Sequence, residues 1–317
     1  MNDKPMKEDI KDFYWDYNGR KLAIGVGCAW LGRTDVEEVT IEDDKALLLR
    51  CYEAGLRYYD TSRSYSDSEL SVGAFVKEID RKSVFLATKS CIAQSGGFDN
   101  FKRNFYDSFK RLETDYIDLF QMHDPQTYDE CIDEVLPFLL ERKKEGLIRY
   151  IGLATKPPVA LCLAIEDGFI DSVLSYTDYN LVKTGAKRVI ELAQKNNKAL
   201  INASALMFGL YKGNRIDEAA LYARGINKKR AEFAMKLRTL CKELQIDMIH
   251  ASLQYSLLNP DVDITLNGIS RSDNLESTIQ AIKNPLYPEQ WAAIYELQRS
   301  CTFIDLFEEH NFGYKKP

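Results

Sequence analysis

A single (β/α)8 barrel of the TIM type is the fold class predicted for this chain of 317 residues, and three observations predict it. Short runs of β-formers (RYYD, SVFLATK, YIDLFQMH, IRYIGLAT, DSVLSY, KALINAS and DITLNG) alternate with longer segments whose apolar residues recur at helical spacing. The runs begin near residues 57, 83, 116, 148, 171, 198 and 263. All but the last step are about 23 to 33 residues, the length of a strand, a helix and two short turns. No Pro/Ser/Gly linker, low-complexity block or composition shift divides the chain, so residues 1–317 read as one domain. A doubly wound sheet is the alternative, but eight similar units favour closure.

The elements follow in order. In DFYWDYNGRKLAIGVG, β-formers flank Asn18 and Gly19, a pair at ease with positive φ, which predicts a tight amino-terminal hairpin. It leads into a first buried strand near Leu22 to Val26, making the eighth strand of the count. The long step before DITLNG holds an insertion, MFGLYKGNRIDEAALYARGIN, and an extended helical region from Lys228 to Leu258. A further helix, Pro288 to Ser300, and an aromatic tail with Phe307 and Phe312 complete the reading.

Composition excludes several function classes. A net charge of -6 leaves no basic footprint for nucleic acid. No apolar run approaches the roughly 18 residues of a membrane helix, and the polar start MNDKPMKEDIKDF lacks the pattern of a secretory signal, so a cytoplasmic location is expected. The seven cysteines are scattered singly without a CxxC pair, so neither a disulfide framework nor a metal site is expected. Nothing in the sequence speaks to oligomeric state.

In a βα barrel the carboxyl ends of the strands share one mouth, so distant positions become neighbours there. The second strand ends at Asp60 with Tyr65 in the following loop, the third at Lys89 in ATKS, and the fourth at His123 in FQMHD. Singly, each has an ordinary reading: a capping carboxylate, one of 18 tyrosines, a solvated lysine, a satisfied buried ring. An acid, a phenol, an amine and an imidazole at adjacent strand ends are a different matter.

With DTSRSY, LATKS and DYIDLFQMHD in this order, and AGLRYYDTS, SFKRLETDYIDL and KKEGLIRYIGLAT around them, the chain resembles the aldo-keto reductases from about Leu22 to Ile282. The resemblance implies a catalytic tetrad of Asp60, Tyr65, Lys89 and His123, a nicotinamide cofactor and a small carbonyl or sugar substrate. Tyr65 suits the general acid of carbonyl reduction and the general base of alcohol oxidation. A free phenol lies about three pKa units, roughly 4 kcal/mol, from ionisation at neutral pH. A Lys89 ammonium would stabilise the phenolate, Asp60 would hold that lysine charged, and His123 would donate to the substrate oxygen.

No GxGxxG follows a strand, so Rossmann-type binding is not expected. The resemblance places the cofactor on the late strands instead, with Gly268, Ser270, Arg271 and Asn274 of NGISRSDNLESTI at a helix start that favours phosphate. Ser204 and Leu206 of SALMFGL fall on the pyrophosphate path, and Thr155 stands where many relatives carry an asparagine that bonds the nicotinamide amide. Ser270 and Thr278 replace the basic residue and asparagine found in many NADP-using relatives, which leaves NAD or NADP open and favours NAD. Trp30, Phe208 and Tyr211 are candidate substrate walls. The LSYxxY, ASxLxxGL and TLxG strings resemble the aldose dehydrogenase branch, with L-galactose and L-fucose dehydrogenases, implying oxidation of a small aldose or reduction of a small polar aldehyde. Two other readings stay open: a nucleotide-binding regulatory subunit of the same fold, and a Schiff-base aldolase using Lys89.

Overall fold

The structure is a computed structural model that describes residues 4–33, 39–203, 205–206 and 228–301. A hairpin of β1 (Trp15–Tyr17) and β2 (Arg20–Leu22) precedes eight parallel strands: β3 (Ile24–Gly27), β4 (Tyr58–Asp60), β5 (Phe85–Ser90), β6 (Ile117–His123), β7 (Ile148–Ala154), β8 (Ser172–Tyr176), β9 (Ala199–Ala203) and β10 (Ile264–Gly268). The eight close into a barrel in chain order, β10 pairing β3 through Thr265–Ile24 and Gly268–Gly27. The hairpin turns as its sequence requires, with Asn18 at φ 50° and Gly19 at φ 80°. Leu22 belongs to the hairpin, and the barrel strand starts at Ile24.

Alternation along each strand sorts side chains into two cores. One lies between strands and helices; the other fills the barrel, with Tyr58, Phe85, Leu119, Tyr150, Ile201 and Leu266 among its members. Tyr58 stacks on Phe85 at 5.1 Å between ring centres, and a Cβ on Gly25 would come within 2.5 Å of the Tyr58 ring. Glycine at 25 therefore makes room for an aromatic layer inside the barrel.

A short helical stretch, Met6–Asp9 running into Ile10–Phe13, closes the amino-terminal end of the barrel; four-residue turns carry too little periodicity to be read from sequence. Met6 and Ile10 enter the barrel core, Phe13 meets Phe85 edge-on at 5.5 Å, and Asp9 accepts a 2.7 Å bond from Arg149.

The helical region expected from Lys228 to Leu258 is two helices, Lys228–Glu243 and Met248–Leu257. Gln245 takes φ 54°, ending the first, and the Asp247 carboxylate accepts from the amides of Ile249 and His250, starting the second. The helix expected at residues 288–300 is Pro288–Arg299. The insertion of residues 207–227 and the aromatic tail lie outside the described residues.

Ile10 is fully buried at the end opposite the mouth. Ile10→Ala is expected to destabilise folding by about 2 to 4 kcal/mol, read as a lowered denaturation midpoint at unchanged slope, with turnover per folded molecule unaltered. An unchanged midpoint would contradict the sealing role.

Candidate active site

The carboxyl ends of β4, β5 and β6 are consecutive in the barrel, and their inward side chains converge. The pairings Asp60–Ala87 and Lys89–Gln121 bring Asp60, Lys89, Gln121 and His123 onto one wall. Lys89 Nζ forms a very short ion pair with Asp60 Oδ1 and donates to Thr61 O at 2.9 Å. Gln121 Nε2 donates to the other oxygen, Asp60 Oδ2, at 2.9 Å. Tyr65 stands over this pair, with Lys89 Nζ 4.9 Å from its ring centre. His123 meets the Tyr65 ring edge-on at 5.9 Å. The structure thus brings together all four residues of the expected tetrad.

The loop DTSRSY is held by its backbone. Thr61 N donates to Ala87 O and Arg63 N to Lys89 O, both at 2.9 Å, so the loop extends the β4–β5 ladder past the strand end. The Thr61 and Ser68 hydroxyls lie 2.8 Å apart, and Ser68 donates to Cys28 O at 2.7 Å, fixing the start of the helix Ser68–Val76. Tyr65 sits between these two anchors.

Electrostatics follow from burial and neighbours. Burial acts to lower the Lys89 ammonium, but the Asp60 carboxylate and Tyr65 outweigh it and leave its pKa above the ordinary lysine value. Burial raises the Tyr65 phenol, and the Lys89 charge pulls against that rise. Burial, then Lys89, depresses His123 to about 3, so the ring is neutral at any working pH. Its Nδ1 lies 3.2 Å from Ser62 Oγ and its Nε2 lies 3.6 Å from Asp124 Oδ2. Nε2 is thus the ring nitrogen that faces the Asp124 carboxylate, which lines the cavity.

The mouth above these residues is a cavity of about 630 Å³ lined by Trp30, Asp60, Tyr65, Lys89, His123, Leu206, Gly268, Ser270 and Asn274, among others. Of the expected cofactor positions, Leu206, Gly268, Ser270 and Asn274 line it; Arg271 does not, its side chain being 71% exposed and 3.7 Å from Asp273. Thr155 is buried behind the wall, next to Ala154, whose carbonyl accepts from the Asp124 amide at 2.9 Å. Trp30 lines the cavity while 47% exposed. Ser204, Phe208 and Tyr211 lie outside the described residues.

The late strands also suit a dinucleotide. The helix Ser272–Lys283 begins without a side-chain cap, and while the Asn274 amide donates to Arg271 O, those of Ser272 and Asp273 are left beside Ser270, where an anionic phosphate is favoured. The buried Asn267 Oδ1 lines the same cavity without a hydrogen-bond partner, while Asn267 Nδ2 bonds Thr278. An unfilled buried acceptor at the cavity wall fits an amide- or hydroxyl-bearing ligand.

Two residues with no role assigned from sequence also line the cavity: Asp124, directly after His123, and Tyr176, the last residue of β8. Both were within reach of the same rule, since each stands at or next to the end of a recognised strand.

Comparison with known proteins agrees with this geometry. Residues 23–299 match the family model described as "Aldo/keto reductase family". L-galactose dehydrogenase of Arabidopsis thaliana is 27% identical over 274 residues, covering 82% of this chain and 84% of that protein. D-threo-aldose 1-dehydrogenase of a Pseudomonas species is 23% identical, covering 86% of this chain and 93% of that protein. An aldo-keto reductase from Bacillus halodurans, solved in its holo form, superposes with a TM-score of 0.76 at 24% identity over 94% of this chain and 98% of that one, a likeness of fold. The chain belongs to the aldo/keto reductase family and is a nicotinamide-dependent oxidoreductase.

Proposed function

We propose that the protein transfers a hydride between a nicotinamide dinucleotide and a small polar aldehyde or aldose, with Tyr65 as general acid in reduction and general base in oxidation. The observation that carries this reading is the Lys89 ammonium, paired with Asp60, standing against the Tyr65 ring. When bound, the nicotinamide supplies or accepts the hydride. The protein's own groups manage the proton and the oxygen. Tyr65 gives its phenolic proton to the carbonyl oxygen, and Lys89 stabilises the phenolate left behind. Asp60 and Gln121 keep Lys89 charged and aimed; His123 Nε2 donates to the same oxygen as negative charge develops.

Gly268, Ser270 and Asn274 would hold the dinucleotide phosphates at the helix start, with Leu206 and Ser204 along the pyrophosphate and Thr155 behind the nicotinamide end. Arg271 points to solvent and pairs with Asp273, so no basic side chain among the described cavity-lining residues awaits a 2′-phosphate at this end, which supports NAD over NADP. Trp30 serves as a substrate wall, with Phe208 and Tyr211 proposed alongside it from sequence. An aldose or small polar aldehyde is supported by the two sugar dehydrogenases among the relatives. The aldolase reading is disfavoured, because a Schiff-base lysine must be neutral to attack whereas Lys89 is held charged.

Two outcomes test this reading. Tyr65→Phe is expected to lower kcat by roughly 10²- to 10⁴-fold with cofactor affinity unchanged; retained turnover would remove Tyr65 from the mechanism. The pH profile gives the second. Reduction needs the phenol protonated, so its rate holds across neutral pH and falls only as pH rises through the elevated Tyr65 pKa, while alcohol oxidation climbs in the same direction. His123, depressed to about 3, adds no step near its ordinary value. An inflection of kcat/KM near pH 6.5 that disappears in His123→Gln would contradict the neutral ring.

A further inference from the structure

Beside the tetrad, the cavity carries a second polar pair. Tyr176 OH lies 3.0 Å from each oxygen of Asp124 and donates its proton to that carboxylate. Thr155 and the Lys156 amide favour its charged form. A carboxylate, with about four lone-pair sites, has room for a further donor beside the Tyr176 hydroxyl. The Asp124 side chain remains 38% exposed, and both Asp124 and Tyr176 line the cavity.

The backbone is turned to place this pair. Asp124 follows β6 at φ 41°, and Thr177 follows Tyr176 at φ 69°. Left-handed φ is unfavourable for a β-branched residue such as Thr177, and such positions gather where a side chain must be aimed. The two ends are separated in the barrel by β7, whose own end supplies Thr155.

Charge decides what the pair can recognise. Among the described residues that line the cavity, the charged ones are Asp60, Lys89 and Asp124. The first two cancel each other in their ion pair. Asp124 is left as the charge the substrate meets. Its Oδ2 lies 3.6 Å from His123 Nε2. A substrate oxygen bonded to that nitrogen lies about 3 Å from it, so the neighbouring oxygen of a vicinal pair falls within reach of the carboxylate.

We propose that Asp124, braced by Tyr176 and Thr155, is the specificity-determining residue that accepts a hydrogen bond from the hydroxyl on the carbon next to the reacting one. It selects neutral α-hydroxy aldehydes and aldoses and rejects substrates with a carboxylate at that position. This rests on the hydride-transfer reading and names the substrate feature that the same site recognises. Tyr176 and Thr155 are positioning residues: they fix the carboxylate without contacting the reacting carbon.

The test compares the wild type with Asp124→Leu, Asp124→Asn and Tyr176→Phe in the reduction of glyceraldehyde, propanal and glyoxylate. The three aldehydes carry, next to the carbonyl, a hydroxyl, a methylene and a carboxylate. Asp124→Leu is expected to lower kcat/KM for glyceraldehyde about 10- to 100-fold more than for propanal, chiefly through KM, and to raise glyoxylate relative to propanal. Asp124→Asn preserves shape and removes charge, so its glyoxylate gain reads the same claim if the leucine variant misfolds. Tyr176→Phe is expected to shift the glyceraldehyde-to-propanal ratio in the same direction by a smaller factor. A parallel loss for glyceraldehyde and propanal overturns the proposal and assigns Asp124 to orienting His123 alone. Unchanged ratios in an active enzyme overturn this proposal while leaving hydride transfer standing. A wild type inactive on all three aldehydes with both NADH and NADPH overturns it along with the reading it rests on.

Discussion

The buried ion pair between Asp60 and Lys89 is the interaction on which the rest of the site depends. Two charges at 3% and 2% exposure survive only because each is paired and further bonded, by Gln121 on the acid and Thr61 O on the amine. Those partners come from three consecutive strands, so the pair is satisfied only when β4, β5 and β6 have closed in the observed register. Removing either partner strands a buried charge, at a cost of about 3 to 5 kcal/mol. Under the proposed mechanism the same pair would set the chemistry, because the ammonium that answers Asp60 also faces the Tyr65 ring. Folding and the proposed proton transfer would therefore share one electrostatic requirement.

Strand alternation explains how one barrel holds an apolar interior and a polar mouth. Along β5 the inward positions run Phe85, Ala87, Lys89, and along β6 Leu119, Gln121, His123. Apolar side chains fill the amino-terminal layers, where Met6 and Ile10 exclude water. On these two strands polar ones appear only toward the carboxyl ends, beneath and at the cavity. The gradient is useful: a dry floor strengthens the Lys89–Tyr65 interaction and keeps His123 neutral, whereas the rim can exchange ligands with solvent. On the opposite side of the mouth, the uncapped start of the helix Ser272–Lys283 offers amides in place of the missing glycine-rich motif.

How much of this was legible in the sequence depended on whether the signal was local. Each barrel strand declared itself as an apolar run, and each tetrad residue other than Tyr65 stood at or within one residue of a run's end, so strand order alone assembled the site. The amino-terminal plug escaped because Met6–Asp9 and Ile10–Phe13 are single turns, and their burial depends on a barrel that forms far away in sequence. The break at residues 244–247 escaped because apolar spacing runs on across it; Gln245 in the left-handed region and the Asp247 cap act through the backbone, not through periodicity. The Asp124–Tyr176 contact joins residues 52 positions apart on strands that are not neighbours, so each residue could be seen while their pairing could not. Arg271 shows the converse: adjacency in sequence to the helix start did not bring its side chain to the cavity.

The central claim is that Asp60 acts on the reaction through Lys89 and Tyr65, not through substrate or cofactor binding. The most direct measurement is a double-mutant cycle in kcat with Asp60→Asn, Tyr65→Phe and the combined variant, each confirmed folded by thermal denaturation. The account predicts that Asp60→Asn lowers kcat severely in the wild-type background and has almost no further effect once Tyr65 is phenylalanine. Equal proportional losses in both backgrounds would contradict it, showing that the ion pair and the phenol work independently.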